Sequence, residues 1–283
     1  MGAVEQVTDV VTRHGEGPVW SPAWGGLRFV DMLNGGVLTL ADDGAVRRMD
    51  VGRVAAFVRP RRTSGYVVAT EHGIALADDV DDLPTRHVTL TSAPGERMNE
   101  GTAAPDGSLY AGSSSWEVTP GIASLYRVTP DLQVEQVLRD VTISNGIDYS
   151  PDHTRAYYVD GATGRIDVFD ADAGSIHHRR PFVELSREIG DFDGLVVDAD
   201  GGVWVAIYGA GQVRRYSPAG ELDTIVEVPV PHVTACTFGG ADLRTLFITT
   251  SRLVDGDAAV AGAGAVFATA VDVPGRPVRP FGG

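Results

Sequence analysis

Short apolar runs in which hydrophobic and polar positions alternate are separated along the whole chain by turns containing Gly, Asp and Pro. That period of two, punctuated by turn residues, predicts β-strands, and no helical period, coiled coil or low-complexity tract stands out. One unit recurs six times as a turn, a strand, a second turn and a second strand. The first strand with its turn reads GGLRFVD (25–31), SGYVVAT (64–70), DGSLYAG (106–112), HTRAYYVD (153–160), GGVWVAI (201–207) and LRTLFITT (243–250). The starts advance by about 40 to 50 residues, the period of four-stranded propeller blades. Each unit has an upstream strand rich in small side chains: EGPVWSP (16–22), VAAFVRP (54–60), NEGTAAP (99–105), NGIDYSP (145–151), DGLVVDA (193–199) and TACTFGG (234–240). Small residues suit an innermost strand crowded around an axis, whereas RRMDVG (47–52) and HRRPFVE (178–184) suit outermost strands facing water. The pattern predicts an all-β protein, one six-bladed β-propeller spanning 1–283. A two-sheet sandwich, the competing architecture, gives no reason for a sixfold recurrence.

Charge narrows the partners. With 23 basic and 38 acidic residues among 283, the formal charge of −15 would repel phosphate backbones and anionic membranes, so neither nucleic acid nor membrane is expected. All the basic residues are arginine, which excludes lysine Schiff-base, lysine general-base and P-loop chemistry. Cys236 is the only cysteine, so an intrachain disulfide and a cysteine zinc cluster are excluded. The segment MGAVEQVTDVVT lacks the pattern of a signal peptide, and no apolar run is long enough to span a bilayer. A cytoplasmic location and a monomer or weak homo-oligomer are the corresponding expectations.

The first residues of the six innermost strands should ring one mouth of the central tunnel. They are Glu16, Val54, Asn99, Asn145, Asp193 and Thr234, and five of the six carry side-chain oxygen. Oxygen donors converging on an axis are what a hard divalent cation needs in place of its water shell. Asn145-Gly146 and Asp193-Gly194 are also common hairpin dipeptides, but each repeat already has its hairpin turns elsewhere. The Asp170/Asp172 and Asp198/Asp200 pairs lack a full EF-hand loop and read as turns. The seven histidines form no H-E-x-x-H pattern, and most are assigned to the surface, with a small share left near a site. No G-x-S-x-G elbow is present, and Cys236 reads as a core thiol.

At these residues the chain resembles the SMP-30/gluconolactonase family, which includes regucalcin and bacterial sugar lactonases. The similar segments are GEGPVW (15–20), RMNEG (97–101) with PDGSLYAG (105–112), ISNGIDYSPD (143–152), DGLVVDADGGVWVA (193–206) and CTFGGADLRTLFITT (236–250). The resemblance implies a six-bladed propeller with one divalent cation, Ca²⁺, Zn²⁺, Mn²⁺, Mg²⁺ or Fe²⁺, held by Glu16, Asn145 and Asp193. It implies that Asp193 is also the catalytic acid/base and that Arg97, Asn99 and Glu117 bind the sugar lactone. Two residues depart from the family pattern, Glu100 for an aspartate and Phe192 for a proline, and both are expected to reshape the pocket edge. The expected reaction is hydrolysis of a small sugar lactone. A metal-dependent esterase or organophosphate hydrolase, and a non-catalytic calcium-binding propeller, are the alternatives.

Overall fold

In the computed structural model, which describes residues 2–41, 43–254 and 259–283, the strands form six antiparallel four-stranded sheets. They are arranged as the blades of a β-propeller. Strand order within a blade follows the chain from the axis outward, as in blade 1: Gly15–Ser21, Gly26–Asp31, Gly36–Leu40 and Val46–Asp50. Innermost strands are Val58–Pro60 in blade 2, Glu96–Ala103 in blade 3, Ser144–Tyr149 in blade 4, Asp191–Val197 in blade 5 and Val233–Gly239 in blade 6. Blade 6 is completed by the N-terminal strand Glu5–Gln6, which pairs with Val266–Ala270 and so ties the two ends of the ring together. Among the described residues, no helix is long and apolar enough to cross a membrane.

The burial pattern follows from this radial order. Innermost and second strands are almost wholly buried, while the outermost strands Val46–Asp50 and Ser175–Glu184 are largely exposed. Apolar side chains fill the seams between blades, as where Tyr157, Phe192, Val203 and Tyr216 share one cluster. Burying a side chain such as Phe192 contributes about 1.5–3 kcal/mol.

One local device recurs at the axis. The ladder between the first two strands slips between Glu16 and Val19 in blade 1, Met98 and Gly101 in blade 3, Ser144 and Ile147 in blade 4, and Phe192 and Leu195 in blade 5. Blade 6 slips in the same way between Val233 and Ala235. In each blade the inner strand carries one residue more than its partner, which defines a β-bulge, and a bulge re-aims a side chain. Asn99, Asn145, Asp193 and Thr234 lie within these bulges, and Glu16 directly precedes one. Blade 2 departs, because its inner strand begins only at Val58 and Val54 is an apolar core residue.

The glycines that follow Asn145 and Asp193 serve the seams between blades. A Cβ on Gly146 would collide with the backbone nitrogen of Leu195, and one on Gly194 with the Cβ of Ala235. Both dipeptides lie inside inner strands rather than in hairpin turns.

At the opposite end of the tunnel, residues 271–283 cross the inner-strand termini without forming a regular strand of their own. Backbone bonds join Gly275 N to Leu243 O at 2.8 Å, Ala199 N to Pro274 O at 3.0 Å and Phe281 N to Pro60 O at 2.8 Å. Arg276 and Arg279 both reach Asp148 of blade 4, Arg276 at 3.2 Å. A cavity of about 60 Å³ remains inside the tunnel, lined by Arg59, Glu100, Thr102, Asp148, Cys236 and Arg276 among others.

Candidate metal centre at the tunnel mouth

The bulges bring Asn99 and Asn145 into direct contact. Asn99 Nδ2 donates to Asn145 Oδ1 at 2.7 Å and to the Ser144 carbonyl at 2.9 Å. Asn99 Oδ1 in turn accepts from Arg97 Nη1 at 2.7 Å, and Asn145 Nδ2 donates to the Phe192 carbonyl at 3.4 Å. A hydrogen-bonded chain thus runs from Arg97 in blade 3 through Asn145 in blade 4 to the residue preceding Asp193 in blade 5. The Arg97 guanidinium also lies 5.5 Å from the centre of the Trp116 ring, and Arg53 packs on the same ring at 4.3 Å.

Glu16, Asn145 and Asp193 are 4%, 7% and 7% exposed, so the expected donors are buried although the tunnel mouth is polar. One Glu16 oxygen accepts from the Gly17 amide at 3.0 Å. Burial, followed by repulsion from Glu100, pushes the Glu16 carboxyl up to about 8. Asp193 is raised well above its ordinary value by burial and then by Glu16 and Glu100. Arg97 opposes this crowding only in part, and burial lowers its own value to about 10. Three buried carboxyls that repel one another are what a dication offsets, and an all-oxygen set with one amide and two carboxylates fits a hard divalent ion. The donor set therefore fits the cation that the resemblance implies.

Other expected residues fall differently. Thr234 is fully buried and donates to the Gly15 carbonyl at 2.6 Å, so its hydroxyl braces blade 6 against blade 1. Glu117 is exposed on the loop after the strand Leu109–Ser115, next to Trp116, and takes no part in the hydrogen-bonded chain. Phe192 corrects an expectation: its side chain is buried in the seam between blades, with its ring 6.1 Å from that of Tyr216, so it does not shape the pocket edge. Glu100 is buried in the tunnel lining, and its Oε2 has no hydrogen-bond partner. Its carboxyl is pushed up to about 7, chiefly by burial, with Arg59 pulling the other way. Cys236 is a buried thiol raised by burial and then by Glu100, which agrees with a core role.

The sequence reading missed two neighbours. His14, not singled out among the histidines, lies with Nε2 3.9 Å from Glu16 Oε1, and its Nδ1 is 2.8 Å from the Ser251 hydroxyl. Burial, then Arg97, lowers its value to about 4, so a neutral imidazole flanks the Glu16 carboxyl. Its place two residues before Glu16 was the available signal. Trp116 was the other, an aromatic residue directly before Glu117 in a turn.

Fold and site together define a six-bladed propeller with an oxygen-rich polar mouth. Residues 14–252 match the SMP-30/Gluconolactonase/LRE-like region model, and the chain belongs to that family. Regucalcin of Danio rerio is 32% identical over 256 residues, covering 88% of this chain and 87% of its own. A solved structure of a calcium-binding protein, regucalcin, from Agrobacterium tumefaciens superposes with a TM-score of 0.94 at 28% identity, covering 99% of this chain and 97% of its own. A gluconolactonase from Xanthomonas campestris, 22% identical with a TM-score of 0.75 over 96% of this chain and 89% of its own, shares the fold.

Proposed function

We propose that the protein is a metal-dependent hydrolase that opens a small sugar lactone to the aldonic acid. The observation that carries this reading is the chain Arg97–Asn99–Asn145, which couples a guanidinium suited to sugar oxygens to a buried oxygen donor. Family membership and the gluconolactonase that shares the fold support it. Glu16, Asn145 and Asp193 would hold one divalent cation, which when bound supplies Lewis-acid polarisation of the ester carbonyl.

The remaining steps belong to the protein. Asp193 takes a proton from the attacking water and returns it to the ring oxygen, which leaves as a hydroxyl. Arg97 presents a planar fork of donors to adjacent sugar oxygens, and its packing on Trp116 limits its freedom to swing away. Asn99 is held by three hydrogen bonds, so it orients Arg97 and Asn145 together. Glu117, on the exposed rim, accepts from an outer hydroxyl of the substrate.

A pH-indicator assay on a panel of aldono-lactones, run with each candidate cation added after chelation, tests the reading. Wild-type protein should hydrolyse at least one lactone in a metal-dependent way, and Asp193→Asn should lose about 10²–10⁴-fold in kcat. A fully active Asp193→Asn enzyme would sink the mechanism. Chelation that lowers Tm in a protein without turnover on any lactone would instead identify a non-catalytic ion site.

A further inference from the structure

The outer edge of blade 4 gathers three side chains that the tunnel does not use. Asp170, on the strand Arg165–Asp172, pairs with His177 on the outermost strand Ser175–Glu184. In a regular strand the next residue, His178, would point to the opposite face. The ladder slips here, because Val168 faces Arg180 while Asp170 faces His177, leaving one extra residue on the outer strand. His178 adopts a φ of 53°, a left-handed conformation that such a side chain enters only at a cost.

The bulge brings both imidazoles to the same carboxylate. His178 Nδ1 lies 3.0 Å from Asp170 Oδ2, and the two histidine rings meet edge to face with centroids 4.8 Å apart. One ligand atom from each of the three residues lies within 4.8 Å of the others.

We propose that Asp170, His177 and His178 form a surface site for a divalent transition metal, Zn²⁺ in particular, separate from the tunnel mouth. Two imidazoles and one carboxylate suit Zn²⁺, Ni²⁺ or Cu²⁺, whereas the tunnel's oxygen donors suit a harder ion. Zinc bonds of about 2.0–2.1 Å place tetrahedral ligands about 3.3 Å apart. The rings must therefore close by up to about 1.5 Å, which rotation about χ1 and χ2 achieves for exposed side chains. His178 is 76% exposed, so its ring is not held by packing. Arg180 Nη2 grips Asp170 Oδ1 at 2.7 Å and orients the carboxylate while leaving Oδ2 toward the histidines. Its positive charge and the open solvent make the site weaker than a buried one, and water completes the coordination.

Isothermal titration with ZnCl₂ on the full-length protein tests this. His177→Gln leaves the bulge untouched, and His178→Asn keeps a residue that tolerates the left-handed backbone. Each variant should bind one equivalent of Zn²⁺ fewer than wild type, with an unchanged Ca²⁺ titration, while Glu16→Gln should retain the equivalent at blade 4. In wild-type protein, Zn²⁺ should shift the ring resonances of His177 and His178 ahead of the other histidines. Equal Zn²⁺ stoichiometry and affinity in wild type and His177→Gln, or ring shifts confined to other histidines, would overturn the site.

Discussion

Asn99 holds more of the mouth together than either carboxylate. Its amide donates to Asn145 and Ser144 and accepts from Arg97, so Asn99→Ala removes both donors and the acceptor. Losing a side chain that orients a metal ligand typically costs 10–100-fold in affinity. Metal titration of Asn99→Ala should therefore show a loss of about 10–100-fold, with a raised KM for the best lactone. Wild-type affinity in that variant would mean that Asn145 needs no such brace. Sixfold repetition placed Glu16, Asn99, Asn145, Asp193 and Thr234 in one slot, which the register slips share, while the choice of Glu16, Asn145 and Asp193 as cation donors came from the family resemblance. His14 was missed although Arg97 and His232 stand at the same offset, two residues before Asn99 and Thr234, and Trp116 was missed because it lies in a turn outside the repeated strands. Phe192 was misread because standing beside Asp193 was taken as standing at the pocket, whereas neighbouring strand residues point to opposite faces and Phe192 points into the seam.

At the scale of elements, the register slip turns an ordinary innermost strand into part of a site. Hydrophobic alternation revealed the strands and their order in the blades, since a period of two survives in each. It could not reveal the bulges, because one extra residue barely disturbs the pattern while redirecting Asn99, Asn145 and Asp193. The glycine after Asp193 is the visible trace, and its reason is steric, because Ala235 of blade 6 occupies the space a side chain would need. Gly194→Ala should cost about 1–3 kcal/mol in urea unfolding, as overpacked cores do, and should weaken metal binding by shifting Asp193. Gly44→Asn, with a φ of +81° but open space around it, is the comparison: it meets backbone strain and no collision, and should lose less stability than Gly194→Ala. Equal stability of the two variants would show that the blade seam has slack at Gly194.

Over the whole molecule, the ring is closed twice: sideways by Glu5–Gln6 in blade 6, and from below by the strap of residues 271–283. Nothing in the sequence repeat foretold the strap, since it forms no strand of a blade and its bonds run to five different blades. Asp148 is its anchor. Burial alone would raise that carboxyl, but Arg279 and Arg276, with the Val197 amide, hold it below the usual carboxylate range. A carboxyl with a lower pKa in the folded than in the unfolded state stabilises the fold above the unfolded value, near 3.9, and that contribution is lost as pH falls through the folded value. At pH 7, Asp148→Asn leaves two half-buried guanidinium groups without their counter-charge and should cost about 1.5–3 kcal/mol. Acidification protonates the wild-type carboxyl but changes nothing at the asparagine, so the stability gap between the two proteins should narrow from about pH 5 downward. Urea midpoints for both proteins at pH 7, 4.5 and 2.5 measure that gap directly. A gap that stays constant across the series would mean that the strap is held by its backbone bonds and packing, with the Asp148 charge contributing little.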